Sequence, residues 1–359
     1  MPLLQAQTIR NFSNEFLNIG VDAAAFGMGK AVVAGTGDVN SVYWNPAGLV
    51  DIADTQGSLM HAEYFQGIAK YDYAAFAKPI DAQSSLAVAV IRFGVDDIMN
   101  TTQLITDGQI NYDRITLFSA ADWAINASYA RKLAFKYLNV GVNAKIIRRR
   151  IGDFASSIGF GFDAGMQYKH SGWQFGFMIR DITTTFNAWS FDDNEINRII
   201  EIYDTFNNGI LTDGNPDNDN ELIPTATPEK LEITKPKMQL GIARKFMVAR
   251  DFNLLTEIDL NMRFAETNDL VSSSFISINP SFGFQLDYIN LVFLRGGVNN
   301  FQHVQNFDGS ETVTLEPNFG IGFKYKGIQV DYALTNIGGA SGSLFSNVFS
   351  LKVDFSFFR

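Results

Sequence analysis

The chain has 359 residues, no cysteine and a formal net charge of −10 at pH 7. Disulfides and thiolate metal sites are excluded, the three histidines (His61, His170, His303) stand in no metal-ligand spacing, and the acidic balance argues against nucleic acid as a partner. No run of 18 apolar residues exists, which excludes a membrane helix. The 13% aromatics, 32 Phe and 30 Gly suit many short strands.

Residues 1–6 read as the tail of a secretory signal, with the mature chain expected to start near Gln5 or Gln7. Residues 1–53 as a whole do not alternate. They are rich in Gly, Ala and Asn and are expected to form a compact segment that contributes no strand to the barrel. Asp38 is placed to cap a short helix through Trp44, which Pro46 ends. Gly27-Met-Gly-Lys30 invites a nucleotide reading that fails. The P-loop needs Gly at 24 and Ser or Thr at 31, and both are Ala; the dinucleotide fingerprint needs Gly at 32, which is Val.

From residue 55 the period of two predicts fourteen strands, near 55–63, 68–79, 84–94, 121–133, 138–150, 156–169, 172–183, 236–247, 251–264, 277–288, 290–299, 316–326, 328–337 and 346–358. In the sixth, Ile158, Phe160, Phe162 and Met166 alternate with Gly159, Gly161, Asp163 and Gln167. In the ninth, Ile258 and Leu260 alternate with Glu257 and Asp259. In the last, Phe349, Leu351, Val353, Phe355 and Phe357 alternate with Ser350, Lys352, Asp354 and Ser356. A strand apolar on one face and polar on the other suits a wall between lipid and water.

The links are an independent signal. Those after even-numbered strands are very short, such as His170–Ser171, Ile289 and Gly327. Several after odd-numbered strands are long, notably 95–120 and 184–235. Membrane barrels have short periplasmic turns and long outer loops, so the parity predicts a bacterial outer-membrane barrel over residues 54–359 with both termini periplasmic.

The outer loop 184–235 carries most of the negative charge, with nine acids against Arg198 alone over residues 192–221. Asp213, Asn215, Asp217, Asp219 and Glu221 place oxygens at alternate positions, the hard-donor pattern of a structural calcium loop. An EF-hand would need a Glu near 224, which is Pro, and the plain alternative is a solvated acidic loop. Ile196, Ile199, Ile200, Tyr203 and Phe206 stand at helical spacing, predicting an amphipathic helix that either caps its own barrel or docks a partner. Arg148 and Arg150 are expected to face outward at headgroup level, toward phosphates of lipid or lipopolysaccharide. Glu257, Asp259 and Arg263 are expected in the lumen, making salt links to the N-terminal segment. No arrangement of side chains suggests a catalytic site or a cofactor.

Ala25-Phe-Gly-Met-Gly29 followed by Asn45-Pro46-Ala47, ahead of fourteen strands, resembles the N-terminal region of the FadL family of outer-membrane barrels. The longer wording Asn18 to Ala23 and Tyr43 to Leu49 is most similar to the PorV/PorQ branch of Bacteroidota. That resemblance implies that residues 1–53 fold inside the barrel as a hatch with Asn45, Pro46 and Ala47 as its signature. It implies a non-enzymatic accessory subunit of a secretion or surface-assembly complex, such as type IX secretion, partnered by a larger barrel. The alternative it implies is a FadL-type transporter of hydrophobic solutes. The terminal aromatic strand resembles the barrel-insertion signal, from which Arg359 departs.

Overall fold

The computed structural model describes residues 13–65, 67–106, 109–195, 197, 230–306, 309–335 and 346–358. Among them fourteen antiparallel strands close one barrel. They are β1 Gln56–Tyr64, β2 Ala69–Pro79, β3 Ser84–Asn100, β4 Thr116–Lys132, β5 Leu138–Ile151, β6 Ala155–His170, β7 in two arms (Trp173–Arg180 and Thr185–Phe191), β8 in two arms (Leu231–Thr234 and Lys237–Ala249), β9 Phe252–Arg263, β10 Ser277–Tyr288, β11 Val292–Gln305, β12 Glu311–Tyr325, β13 Ile328–Thr335 and β14 Ser346–Asp354. Each pairs with the next, and β1 pairs with β14 from Gln56↔Asp354 to Glu63↔Asn347. Closure leaves no row of unpaired backbone groups at a sheet edge.

Side-chain alternation decides what each face meets. On β6, Ile158 and Phe160 are each 57% exposed, while Gln167 on the opposite face is fully buried. Phe319, Phe323 and Val330 on β12 and β13 are likewise exposed, against buried Asn318 and Asp331. The barrel is therefore apolar outside and, on β6–β14, largely polar inside, while the inward faces of β1–β5 carry apolar residues such as Tyr71, Ile91 and Ile147. An apolar outer band of this extent suits hydrocarbon rather than water. At the short-turn end the band is edged by aromatics, among them Tyr137 and Tyr168 (6.3 Å apart) and Phe252 and Tyr288 (4.9 Å). No described helix is long and apolar enough to cross a membrane, which says nothing of strands.

Three expected boundaries move. The loop expected over 95–120 is largely strand, because β3 and β4 stay paired out to Asn100↔Thr116. The loop expected over 184–235 is entered and left by strand: Phe186–Phe191 pair with Phe160–Ala155, and Leu231–Thr234 pair with Ala188–Thr185. Without them the backbone groups of the upper half of β6 would lack partners. The last strand stops at Asp354; Phe355–Phe358 form a 3₁₀ turn, held by the Phe355 N–H donating to Thr55 O at 3.0 Å.

Residues 13–55 contain α1 (Ala23–Gly27), α2 (Ser41–Trp44) and 3₁₀ turns at Glu15–Asn18 and Pro46–Asp51. Asp38 accepts from the Asn40 N–H just before α2, and Asn45 takes up extended backbone after it, as the following proline demands. Val21, Phe26, Val39, Val42, Trp44 and Leu49 of this segment form the main apolar core with Tyr64, Tyr71, Ile91 and Ile147.

Candidate functional site

The interior is built from residues 13–55 meeting the inward faces of strands from all round the ring. Close approach is made by glycines of the wall. A Cβ on Gly141 (β5) would overlap the Pro46–Ala47 peptide, one on Gly176 (β7) the Val33–Ala34 peptide, and one on Gly297 (β11) the Met28–Gly29 peptide. Asn45, Pro46 and Ala47 are thus seated against β5 and β6. Asn45 is fully buried; its amide donates to Val33 O (2.9 Å) and Met166 O (3.2 Å), and its Oδ1 accepts from the Ala47 N–H (3.2 Å).

Glu257 and Asp259, side by side on β9, do not make the salt links expected of them. Asp259 accepts the Val32 and Val33 N–H groups at 2.8 and 3.0 Å, and Glu257 accepts those of Ala34 (2.6 Å) and Gly35 (3.0 Å). Four successive amides in a tight turn have no strand or helix to satisfy them, and two carboxylates fill that need. The salt links fall elsewhere: Asp38 with Lys352 (β14), Asp51 with Lys169 (β6, 2.5 Å) and Glu15 with Lys237 (β8, 3.1 Å). Burial would push the Asp38 carboxyl up, but the Lys352 ammonium and the Asn40 N–H outweigh it and hold it below its ordinary value. Asp22, buried and bonded to the Ser350 hydroxyl (2.9 Å), is pushed up by burial against the opposing pull of Lys352.

Two features stand out beyond this seating. The first is a bulge in the wall, where β7 loses its ladder to β8 while the Ile182 N–H still donates to Phe162 O of β6 at 2.9 Å. Between the arms of β7, Asp181–Thr184 oppose only Lys235 and Pro236 of β8, so the chain bulges. Asp181 and Thr184 adopt left-handed φ of 57° and 59°. Behind the bulge, buried Lys145 joins Asp163 (2.8 Å) and Asp181 (2.6 Å). The second is a cavity of about 280 Å³ between the N-terminal segment and β7–β12, toward the long-loop end. Its lining is mixed: Lys30, Arg180, Lys237 and Arg263 face Glu15, Glu316 and a run of side-chain amides, and Ile19, Trp44, Met238 and Met262 supply an apolar share.

On the outer face, one register row carries ions. His61, Asp72, Arg92 and Trp123 are consecutive partners across β1–β4. His61 lies 2.7 Å from Asp72, Arg92 lies 3.5 Å from Asp72, and the Arg92 guanidinium sits 5.7 Å from the Trp123 ring. They rim an apolar depression floored by Leu59, Ala74 and Val90.

Arg148 and Arg150 are exposed, as expected, and Arg150 pairs with Asp153. Ile196, Ile199, Ile200, Tyr203 and Phe206, and the oxygen series Asp213 to Glu221, lie outside the described residues. Among the described residues no acidic or histidine cluster could hold a metal. Sequence reasoning passed over the outer ion row and the β7 break. The polar run Asp181-Ile-Thr-Thr-Thr185 inside a strand, followed by Pro236 on its partner, was the available signal for the break.

The sequence matches no known family, and no curated protein matches it. Solved structures match its fold. A Pseudomonas aeruginosa FadL homologue aligns over 93% of this chain and 98% of its own at 12% identity, TM-score 0.54. The Pseudomonas putida toluene transporter TodX aligns over 93% and 96% at 11% identity, TM-score 0.53. The CymD monoaromatic hydrocarbon channel aligns over 93% and 96% at 11% identity, TM-score 0.54. At these identities the likeness is one of fold. None of these comparisons bears on the PorV/PorQ branch.

Proposed function

We propose that the protein is a non-enzymatic transport barrel of the bacterial outer membrane, of the FadL type. In this reading residues 13–53 act as a hatch that blocks a straight bore, and the termini lie in the periplasm. Solute enters from the long-loop end and leaves sideways at the β7 bulge. The bulge is the observation that carries the reading. A stretch of wall that has lost its ladder to β8, and is held to β6 by the Ile182 N–H donating to Phe162 O at 2.9 Å, is the weakest seam beside a filled lumen, and its opening would give a solute a way round the obstruction. The shared fold with structures named as a toluene transporter and a hydrocarbon channel supports transport over an accessory role.

The test is uptake by cells whose outer membrane lacks general porins, with toluene, sorbitol and gluconate as solutes. Expression should accelerate uptake of at least one of them. Deleting Ile182–Thr184, which removes the bulge, should return that rate to background while the barrel still assembles. Uptake equal to that of non-expressing cells for all three solutes rejects transport.

A second reading is favoured by the outer ion row. Ionisable side chains turned toward lipid are costly; pairing among His61, Asp72 and Arg92 offsets part of that cost, and a neighbouring barrel or assembly subunit would cover the rest. Co-purification of a larger barrel, lost when His61, Asp72 and Arg92 are all changed to Leu, would support that role.

A further inference from the structure

We infer that the cavity between the N-terminal segment and β7–β12 binds a small hydrophilic oxyanion, a carboxylate or phosphate on a hydroxylated body. This rests on the transport reading and names its solute class.

Charge is the first argument. Four cations line the cavity against two carboxylates. Glu15 is taken up by Lys237, and Glu316 accepts the Asn300 amide at 2.8 Å. The side chains of Lys30 and Arg263 are left without a hydrogen bond or ion pair among the described residues; the Lys30 amine rests 5.3 Å from the Phe26 ring, and neither residue is fully exposed. Glu316 offsets part of the Lys30 charge, but Lys30 and Arg263 held in one partly buried space still repel each other and lose hydration. A bound anion would relieve both costs, and a guanidinium matches carboxylate or phosphate oxygens two at a time.

The second argument is strain. Lys30 has φ of 63°, a left-handed conformation that is disfavoured for a side-chain-bearing residue. It is fixed there by its own N–H donating to Ala25 O at 2.9 Å. Burial lowers the affinity of the Lys30 amine for its proton, with Glu316 opposing. The chain thus holds this lysine against backbone and solvation preferences alike.

The third argument is the rest of the lining. Arg180 donates to Gln239 (3.0 Å), Gln239 to Asn261 (2.6 Å), and Asn261 to Asn279 O (3.2 Å). This chain of amides is preorganised for hydroxyl groups. Ile19, Trp44, Met238 and Met262 offer apolar surface to the carbon body of such a solute, whereas a pure hydrocarbon would strand the charged and amide groups without water. At roughly 30 Å³ per water the space equals about nine waters, which is room for a sugar-acid-sized solute.

Titration calorimetry on the full chain in detergent at low salt tests the inference, with gluconate, inorganic phosphate and sorbitol as probes. Gluconate and phosphate should bind saturably, and sorbitol should not. Lys30→Met and Arg263→Gln should each weaken gluconate at least tenfold, Lys30→Arg should largely restore it, and Arg148→Gln on the outer face should leave it unchanged. Absence of binding by both anions overturns the inference, as does equal binding by Lys30→Met and Arg263→Gln. Accelerated uptake of toluene alone, with no anion binding, removes the solute class and leaves transport standing. Anion binding without uptake of any solute leaves the cavity assignment standing and removes transport.

Discussion

Gly27 of the N-terminal segment and Gly320 of β12 lie so close that a Cβ on either would stand 2.9 Å from the other's Cα. Both neighbours are backbone, which cannot swing aside as a long side chain can. Gly320→Val should therefore act as overpacking and cost about 1–3 kcal/mol. The check is the urea unfolding midpoint of the detergent-solubilised protein. An unchanged midpoint would mean that segment and wall do not touch there.

Asp38 and Lys352 supply a pH-dependent contribution. The folded-state affinity of Asp38 for a proton is below its unfolded value. The stabilisation is thus fully present above the ordinary carboxylate range, about pH 4, and fades as pH falls through the lower folded value. Asp38→Asn should cost about 2 kcal/mol near neutrality, less than a fully buried pair would, and much less near pH 2. Parallel unfolding curves for the two proteins at all pH values would contradict this.

Asp22 runs with the opposite sign. Burial raises its proton affinity in the folded protein, so its charge opposes folding above the ordinary range and the penalty disappears as pH falls. Asp22→Asn keeps an acceptor for the Ser350 hydroxyl and should be neutral or stabilising at pH 7. A large loss of stability at pH 7 would show that the negative charge is needed against Lys352.

The two β9 carboxylates predict a graded series. Glu257→Ala strands the Ala34 and Gly35 N–H groups and should cost about 1–3 kcal/mol. Asp259→Asn retains an oxygen for Val32 and Val33 and should cost less than Asp259→Ala. Equal effects of Asn and Ala at 259 would exclude the acceptor role.

Lys145 balances two buried carboxylates behind the wall break. Lys145→Met leaves both uncompensated and should destabilise by about 3–5 kcal/mol. Amide exchange at Asp181–Thr184 should quicken before exchange elsewhere in β7. Exchange that quickened uniformly around the ring would separate the triad from the break.

The strands were legible because hydrocarbon outside and a packed lining of small and polar side chains inside impose a two-residue alternation, as with Ile158 and Phe160 against Gly159 and Gln167. Strand ends were less so. Where β3 and β4 run on to Asn100 and Thr116, the outward faces are no longer uniformly apolar, so period two fades while backbone pairing persists. The lumenal placement of Glu257 and Asp259 followed from alternation, but their partners did not. Whether a carboxylate meets a cation or a row of backbone amides depends on the turn opposite it, and that turn sits over two hundred residues away in sequence. The cavity was illegible for the same reason. Lys30, Arg180, Arg263 and Glu316 come from four distant stretches that share a space only once the ring is closed.

The bare positions on the inner wall have a hereditary consequence. Gly141, Gly176, Gly297 and Gly320 sit on four separate strands, yet each is a socket cut for one short stretch of the leading chain. A lineage that reshapes residues 13–53 must recut these distant sockets in concert, so drift in that segment and drift at these codons should be correlated.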